Sequence, residues 1–311
     1  MARISDMSED DLIALFAPRL PVTDAEVLGS GDDAAVVSVD GDLVVSTDMA
    51  VQDHDFRMEW STGADVGWRV AMQNLADIDA MGAVPTALEV ALAMPRDTEV
   101  EWVLSFADGL REACEPHGVG VVGGDLSGAA QIVVAVTALG ETHGTDPVTR
   151  ADAAPGDVIA VAGPLGAAAA GLAQLEQGTR VAPAAIDLFL RPQPRIGAGL
   201  EAALHGATAM MDLSDGLARD GARIARASEV RLAVESALVP VHEAASFTAQ
   251  TMGVDALAWA LGGGEDHHMV ACFPRESAVP AGWVIVGVVE DGSGLTVDGA
   301  APTVSGWDHF A

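Results

Sequence analysis

Six short segments of this 311-residue chain set carboxylates beside Gly, Ser or Thr. They are Gly31-Asp32-Asp33, Ser46-Thr47-Asp48, Asp77 in Asn74-Leu75-Ala76-Asp77, Gly123-Gly124-Asp125, Asp212-Leu213-Ser214-Asp215-Gly216 and Gly262-Gly263-Gly264-Glu265-Asp266. Most fall where a strand-like run ends or a helix begins, and side chains at such ends can converge on one cleft. Glycine there lets the backbone approach a ligand closely. Two carboxylates about 4 Å apart repel by roughly 4 kcal/mol at an effective dielectric of about 20, so a cluster of them protonates or recruits cations. Oxygen ligands with hydroxyl neighbours suit Mg2+ or Ca2+ rather than zinc, and Mg2+ held by carboxylates keeps positions open for phosphate oxygens. The chemistry is then nucleotide chemistry. Any one segment alone reads as a turn, as Asp40-Gly41 does. The segment 212–216 also reads as a helix start, capped by Ser214 or Asp212 and with Asp215 near the dipole. It is the set that carries the functional reading.

Composition narrows the classes. The chain has 46 acidic and 15 basic residues, a net charge of −31, and its basic residues are all arginine. That balance excludes a general nucleic-acid binder, which needs basic patches. The absence of lysine excludes a Schiff-base lysine and a Walker A lysine, so phosphates must meet arginine, backbone amides or metal ions. Cys114 and Cys272 form no CxxC motif and fit a reduced, cytoplasmic setting. The start of the chain shows no long apolar run, so no signal peptide is expected. Residues 158–175 are uncharged but contain Gly163, Pro164, Gly166 and Gly171. They read as a buried strand, a turn and a small-residue helix, not as a membrane span.

The elements that must position these residues follow from pattern. Ser8 three residues before Asp11 predicts a capped helix. Apolar runs at 34–39 and 43–47 around Asp40-Gly41 predict a hairpin. A helix is expected over 62–81, a strand over 85–93, and a helix to about 117 that starts from a Thr98/Glu101 capping box. Strands at 119–122 and 131–139 follow, then a turn-rich boundary at 147–156. Beyond it we expect strands at 157–162, 208–213, 231–234, 268–273 and 284–289. Helices are expected at 167–177, 183–190, 195–204 and 214–227. The class is α/β or α+β, in two domains.

The motifs GDDAAVV, STDM, NLADIDAMGA, GGDLSG, DLSDGLARD and GGGEDHH occur in that order, and Gly306-Trp307-Asp308-His309-Phe310 ends the chain. Together they resemble the thiamine-monophosphate kinase family, within the aminoimidazole ribonucleotide synthetase-like superfamily. The resemblance runs from about residue 31 to residue 310. It implies an N-terminal ATP- and Mg-binding domain over 1–146, whose sheet pairs across a homodimer, and a C-terminal mixed α/β domain over 147–311. It also implies the reaction: direct in-line transfer of the ATP γ-phosphoryl group to thiamine monophosphate, the last step in making thiamine diphosphate. No strong general base is needed, since the acceptor phosphate is already an anionic nucleophile.

By the same resemblance Asp33, Ser46, Thr47, Asp48, Asp77, Asp125, Asp212 and Asp215 are ligands of several Mg2+ ions or their close neighbours. Gly124, Asp125, Arg150 and Ser214 are ATP contacts. Asp55, Glu265 and Trp307 stand on the substrate side, where Trp307 can stack on the pyrimidine or face the cationic thiazolium. Two segments depart from the family pattern. Asp55 stands where the family has a histidine, with His54 one residue earlier, and GGEDYE becomes Glu265-Asp266-His267-His268. Adjacent histidines on a strand would point to opposite faces, so only one could serve a site. The competing readings are a sister ATP-dependent enzyme of hydrogenase-maturation or aminoimidazole ribonucleotide synthetase type, and a divalent-metal-binding protein without turnover. No membrane or nucleic-acid partner is expected.

Overall fold

The computed structural model describes residues 2–29, 34–274 and 279–306. The chain separates into two compact units: one runs to Ile78 and includes Ala83–Thr145, the other joins Asp79–Gly82 to the residues from Asp146 on.

In the first unit, helix α1 (Glu9–Phe16) starts at the expected capping box: Ser8 Oγ accepts from the Asp11 amide at 3.2 Å. Among the described residues strands β1 (Glu26–Leu28) and β2 (Val36–Val37) form a separate two-stranded sheet. Then come β3 (Leu43–Val51), α2 (Gly63–Asp79), β4 (Val84–Met94), α3 (Val100–Cys114), β5 (Gly120–Gly128) and β6 (Val133–Glu141). Among the described residues β3, β6, β4 and β5 form a four-stranded sheet in that order, antiparallel except for β4 with β5.

The expected hairpin across Asp40-Gly41 does not form. Leu43–Val51 is paired along its whole length with Glu141–Val133, and the 40–42 turn is held by the far end of β6: the His143 amide donates to the Asp40 carbonyl at 3.0 Å. A nine-pair ladder outweighs a two-residue turn signal. The Thr98/Glu101 box is also absent. Helix α3 begins one residue after Glu99 with no side-chain cap, and the Val100 amide donates instead to the Ala2 carbonyl.

This sheet is covered on one face. Val134, Val136 and Ala138 of β6 are buried with Leu88, Val90 and Leu92 of β4, as are Val103, Phe106 and Leu110 of α3. The alternate positions point the other way, and there Leu43, Val45 and Met49 are 51%, 54% and 60% exposed.

The second unit runs β7 (Val158–Val161), α4 (Ala167–Glu176), α5 (Pro183–Leu190), α6 (Ala198–Leu204), β8 (Ala209–Asp212), α7 (Leu217–Ala227) and β9 (Arg231–Val234). Helices α8 (Glu243–Met252) and α9 (Ala256–Gly262) follow, then β10 (Met269–Phe273), β11 (Val284–Glu290) and β12 (Gly294–Val297). Its sheet, among the described residues, has the order β12-β9-β11-β7-β10-β8 and is antiparallel but for β12 with β9. Ile159, Val161, Met211, Ile224, Leu232, Val270 and Val286 lie in its core. The uncharged stretch is the strand β7, a turn and the alanine-rich α4, as expected. No helix among the described residues is long and apolar enough to cross a membrane.

Candidate active site

In the first unit two of the sequence-predicted acids, Asp48 and Asp77, lie where β3 and α2 touch. Side chains alternate along β3, so Ser46 and Asp48 share one face and Thr47 takes the other. Residues four apart on a helix share a face, so α2 presents Gln73 and Asp77 together. The Ser46 hydroxyl donates to Asp77 Oδ2 at 2.7 Å, and Gln73 Nε2 donates to Asp48 Oδ2 at 3.2 Å. Ser46 thus faces Asp77, and Asp48 faces Gln73, across one strand–helix contact. Gln73 was not anticipated; its signal is the spacing of four to Asp77.

Thr47 and Asp125 lie elsewhere. Thr47 Oγ1 meets Thr137 Oγ1 at 2.5 Å. In the ladder, Asp125 is opposite Ala91, which is opposite Ala135, which is opposite Met49. Cross-strand neighbours share a face, so that row carries Asp125 on the open side of the sheet, and the residue is exposed. Beside it, a Cβ on Gly124 would stand 2.0 Å from the Val90 carbonyl oxygen, so only glycine permits this approach of the two strands. Asp33 lies outside the described residues.

In the second unit Asp212 ends β8 and is buried against His267, whose Nδ1 stands 3.1 Å from Asp212 Oδ2. The strand continues as a zipper: the Leu213 amide donates to His268, the His267 amide to Leu213 and the Glu265 amide to Ser214. A Cβ on Gly264 would be 2.3 Å from the Ser214 carbonyl oxygen, which is why the glycine run is needed there.

Helix α7 begins only at Leu217, after Gly216, and has no side-chain cap. Neither Ser214 nor Asp212 caps it, contrary to the expectation, because Asp212 is committed to His267. Asp215 is held by Arg223 at 2.6 Å and more loosely by Arg219 at 3.6 Å. Its amide donates to Asp220 Oδ2 at 2.9 Å. Burial, then the Asp212 charge, push the Asp220 carboxyl up to about 7, against the pull of the Asp215 amide and Arg223. Sequence reasoning missed both Asp220 and His267.

The segment 265–268 precedes β10, and Glu265 and His267 adopt left-handed φ values of 63° and 52°. The strand expected at 268–273 begins at Met269 and the segment before it is irregular, yet the two histidines still diverge. His267 faces Asp212. His268 instead lines a cavity of about 210 Å3 with Asp266, His242, Gln193, Leu188 and Pro164. Asp266 accepts from the Gly166 and Ala168 amides at the start of α4, at 2.6 and 3.1 Å. Burial nevertheless pushes its carboxyl up to about 6. Burial, then His267 and His242, push His268 down to about 4.

A depressed base loses stability as pH falls, because the unfolded chain takes up a proton near 6.5 that the folded chain refuses until about 4. His268→Leu is therefore expected to lessen the loss of thermal stability between pH 7 and pH 4.5, by up to about 1.4 kcal/mol per pH unit over that window. Asp266, raised, acts in the opposite sense over 4–6 and serves as the internal contrast. An unchanged pH slope of the unfolding midpoint would refute the assignment.

The remaining predicted residues are placed as follows. Asp55 Oδ2 accepts from the Val51 amide at 2.8 Å and closes the turn after β3. The Arg150 side chain is exposed, and its carbonyl accepts from Ser228 Oγ. Trp307 lies outside the described residues. Among the described residues no group of three His, Cys, Asp or Glu side chains is gathered closely enough to hold a metal ion. Ser46 and Asp77, which do meet, and Asp48, two residues on along the same face of β3, offer oxygen only, which is the set Mg2+ takes.

Residues 31–142 match the N-terminal domain of AIR synthase related proteins, and residues 154–299 match their C-terminal domain. The chain is 46% identical over 296 residues to the thiamine-monophosphate kinase of Mycobacterium tuberculosis (strain H37Rv), covering 94% of this chain and 88% of that protein. It superposes on the thiamine monophosphate kinase of Aquifex aeolicus with a TM-score of 0.79 at 32% identity, over 84% of this chain and 88% of that one. On the structure of AaThiL complexed with AMPPCP and TMP it gives a TM-score of 0.81 at 29% identity, covering 100% and 99% of the two chains.

Proposed function

The chain belongs to the thiamine-monophosphate kinases of the AIR synthase related family, and we propose that it transfers the γ-phosphoryl group of ATP to thiamine monophosphate, giving thiamine diphosphate and ADP. The observation that carries the mechanism is the oxygen-donor set that β3 and α2 gather at Ser46, Asp48 and Asp77. In a chain without lysine, Mg2+ held by that set would meet the phosphate charge.

In the first unit Asp33, Ser46, Thr47, Asp48, Asp77 and Asp125 would hold Mg2+; in the second Asp212 and Asp215 would do so. Bound Mg2+ neutralises and orients the phosphates. The rest is the work of the chain. Gly124 and Asp125 run along the nucleotide phosphates. The Ser214 hydroxyl donates to ATP. The Arg150 guanidinium is a fork suited to a phosphate. Asp55, Glu265 and Trp307 orient thiamine monophosphate, whose own phosphate oxygen attacks in line. Nothing in this scheme requires a strong base.

We also propose a homodimer. Its support is the open face of the first sheet, with Leu43, Val45 and Met49 more than half exposed on a row of alternating positions. The two buried, free cysteines, Cys114 and Cys272, accord with a cytoplasmic setting.

The test is incubation of the protein with ATP, Mg2+ and thiamine monophosphate. One thiamine diphosphate per ADP is expected, none from free thiamine, and none after chelation of the metal. ADP without thiamine diphosphate would shift the reading to a sister enzyme with another acceptor. A folded protein with no turnover at all would overturn the kinase.

A further inference from the structure

We propose that Asp220 is a positioning residue that fixes the Asp215 carboxylate through Arg223 and the Asp215 backbone directly. The proposal rests on the reading of Asp215 as a metal-binding residue.

Asp220 lies in the first turn of α7 and is 0% exposed. Its two oxygens do different things. Oδ2 accepts from the Asp215 amide at 2.9 Å, and Oδ1 accepts from Arg223 Nη1 at 2.5 Å. The other arm of the guanidinium, Nη2, meets Asp215 Oδ2 at 2.6 Å. The ring is closed: carboxylate of Asp220, guanidinium of Arg223, carboxylate of Asp215, backbone of Asp215, and back to Asp220. A planar fork held at one arm leaves the other arm little freedom. Asp215 is thereby fixed at both its main chain and its side chain. Stability alone gives little reason for this arrangement, since an ionic set built on a buried carboxylate is often no more stabilising than apolar residues of the same volume. Direction is what it adds, and direction is what a cation site needs. Arg219 stands 3.6 Å from Asp215 and is the looser contact.

The experiment is titration calorimetry of the full chain with Mn2+ and no nucleotide, alongside thermal unfolding, for Asp215→Asn, Asp220→Asn, Arg223→Gln and the double variant Asp220→Asn/Arg223→Gln. Asp215→Asn is expected to remove one binding event. Asp220→Asn keeps an acceptor for the Asp215 amide but loses the charge opposite Arg223, and is expected to weaken that event about 10-fold. Arg223→Gln is expected to do the same, and the double variant no more than either alone, because both act through one relay. KM for thiamine monophosphate should not move. Wild-type Mn2+ affinity in Asp220→Asn and Arg223→Gln, with the event lost in Asp215→Asn, would overturn the proposal and leave Asp220 a structural residue. An unchanged titration in Asp215→Asn would instead refute the metal reading and this proposal with it. Should Asp220→Asn not fold, Arg223→Gln decides, since the Arg223 side chain is partly exposed and lies at one edge of the ring.

Discussion

Asp48→Asn is expected to lower kcat by about 10²–10³-fold while leaving the thermal unfolding midpoint within a few degrees. Asn keeps the shape of Asp and an oxygen to accept from Gln73 Nε2, the contact that holds the side chain at 3.2 Å. What it loses is the charge. One preorganised electrostatic group acting on a transferring phosphoryl contributes about 2.7–4 kcal/mol to the barrier. Asp77→Asn should act alike, and Ser46→Ala less, since Ser46 contributes a hydroxyl that already donates to Asp77. The check is single-turnover thiamine diphosphate formation at saturating ATP, with calorimetry on the same samples. Wild-type turnover in a folded Asp48→Asn protein would remove Asp48 from the phosphate site.

Asp79→Ala is expected to cost about 3–5 kcal/mol of stability, more than any other single change considered above. Asp79 ends α2 yet counts with the second unit, and it is 0% exposed. Its carboxylate accepts from the amides of Gly197, Gly199 and Leu200 at 3.0, 3.0 and 3.1 Å. Those are the orphan donors at the start of α6, whose own N-cap, Gly197, has no side chain to serve them. A distant carboxylate therefore does the work of a cap, and its removal strands three N–H groups at once. Burial pushes the Asp79 carboxyl up to about 6, and the three amides pull it back down. Asp79→Asn, which keeps one accepting oxygen, should cost clearly less. Urea unfolding followed by tryptophan fluorescence reads both. A loss below about 1 kcal/mol for the alanine variant would show that water replaces the carboxylate at no penalty.

The two residues differ in how visible they were. Asp48 sits in Ser-Thr-Asp after an apolar run, and its residue types alone marked it. Asp79 looked like one more acid near a helix end, and nothing within ten residues of it announces Gly197. The same contrast runs through the fold. The Ser8 cap was legible because its partner is three residues away. The strand, turn and helix within 158–175 were legible because glycine, proline and a run of alanines act locally. The hairpin at Asp40-Gly41 failed because a two-residue signal was outbid by pairing with residues 133–141. Helices α8 and α9 were missed although His242 and Asp255 cap them, since their apolar residues are mostly small alanines that make a weak stripe.

What the amino-acid order determined by itself was the chemistry on offer. Oxygen donors without a single lysine confine phosphate handling to cations, amides and arginine. The succession of acidic turns carries the likeness to one kinase family. Those properties depend on residue type and on neighbours along the chain. Only the tertiary structure decided who faces whom: Ser46 with Asp77, Asp212 with His267 across 55 residues, and Asp79 with the start of α6 about 120 residues on. A capping box or a turn is set by dihedrals within one short segment. A contact between distant segments forms only after strands have registered and helices have docked, and the burial of many other side chains drives that assembly.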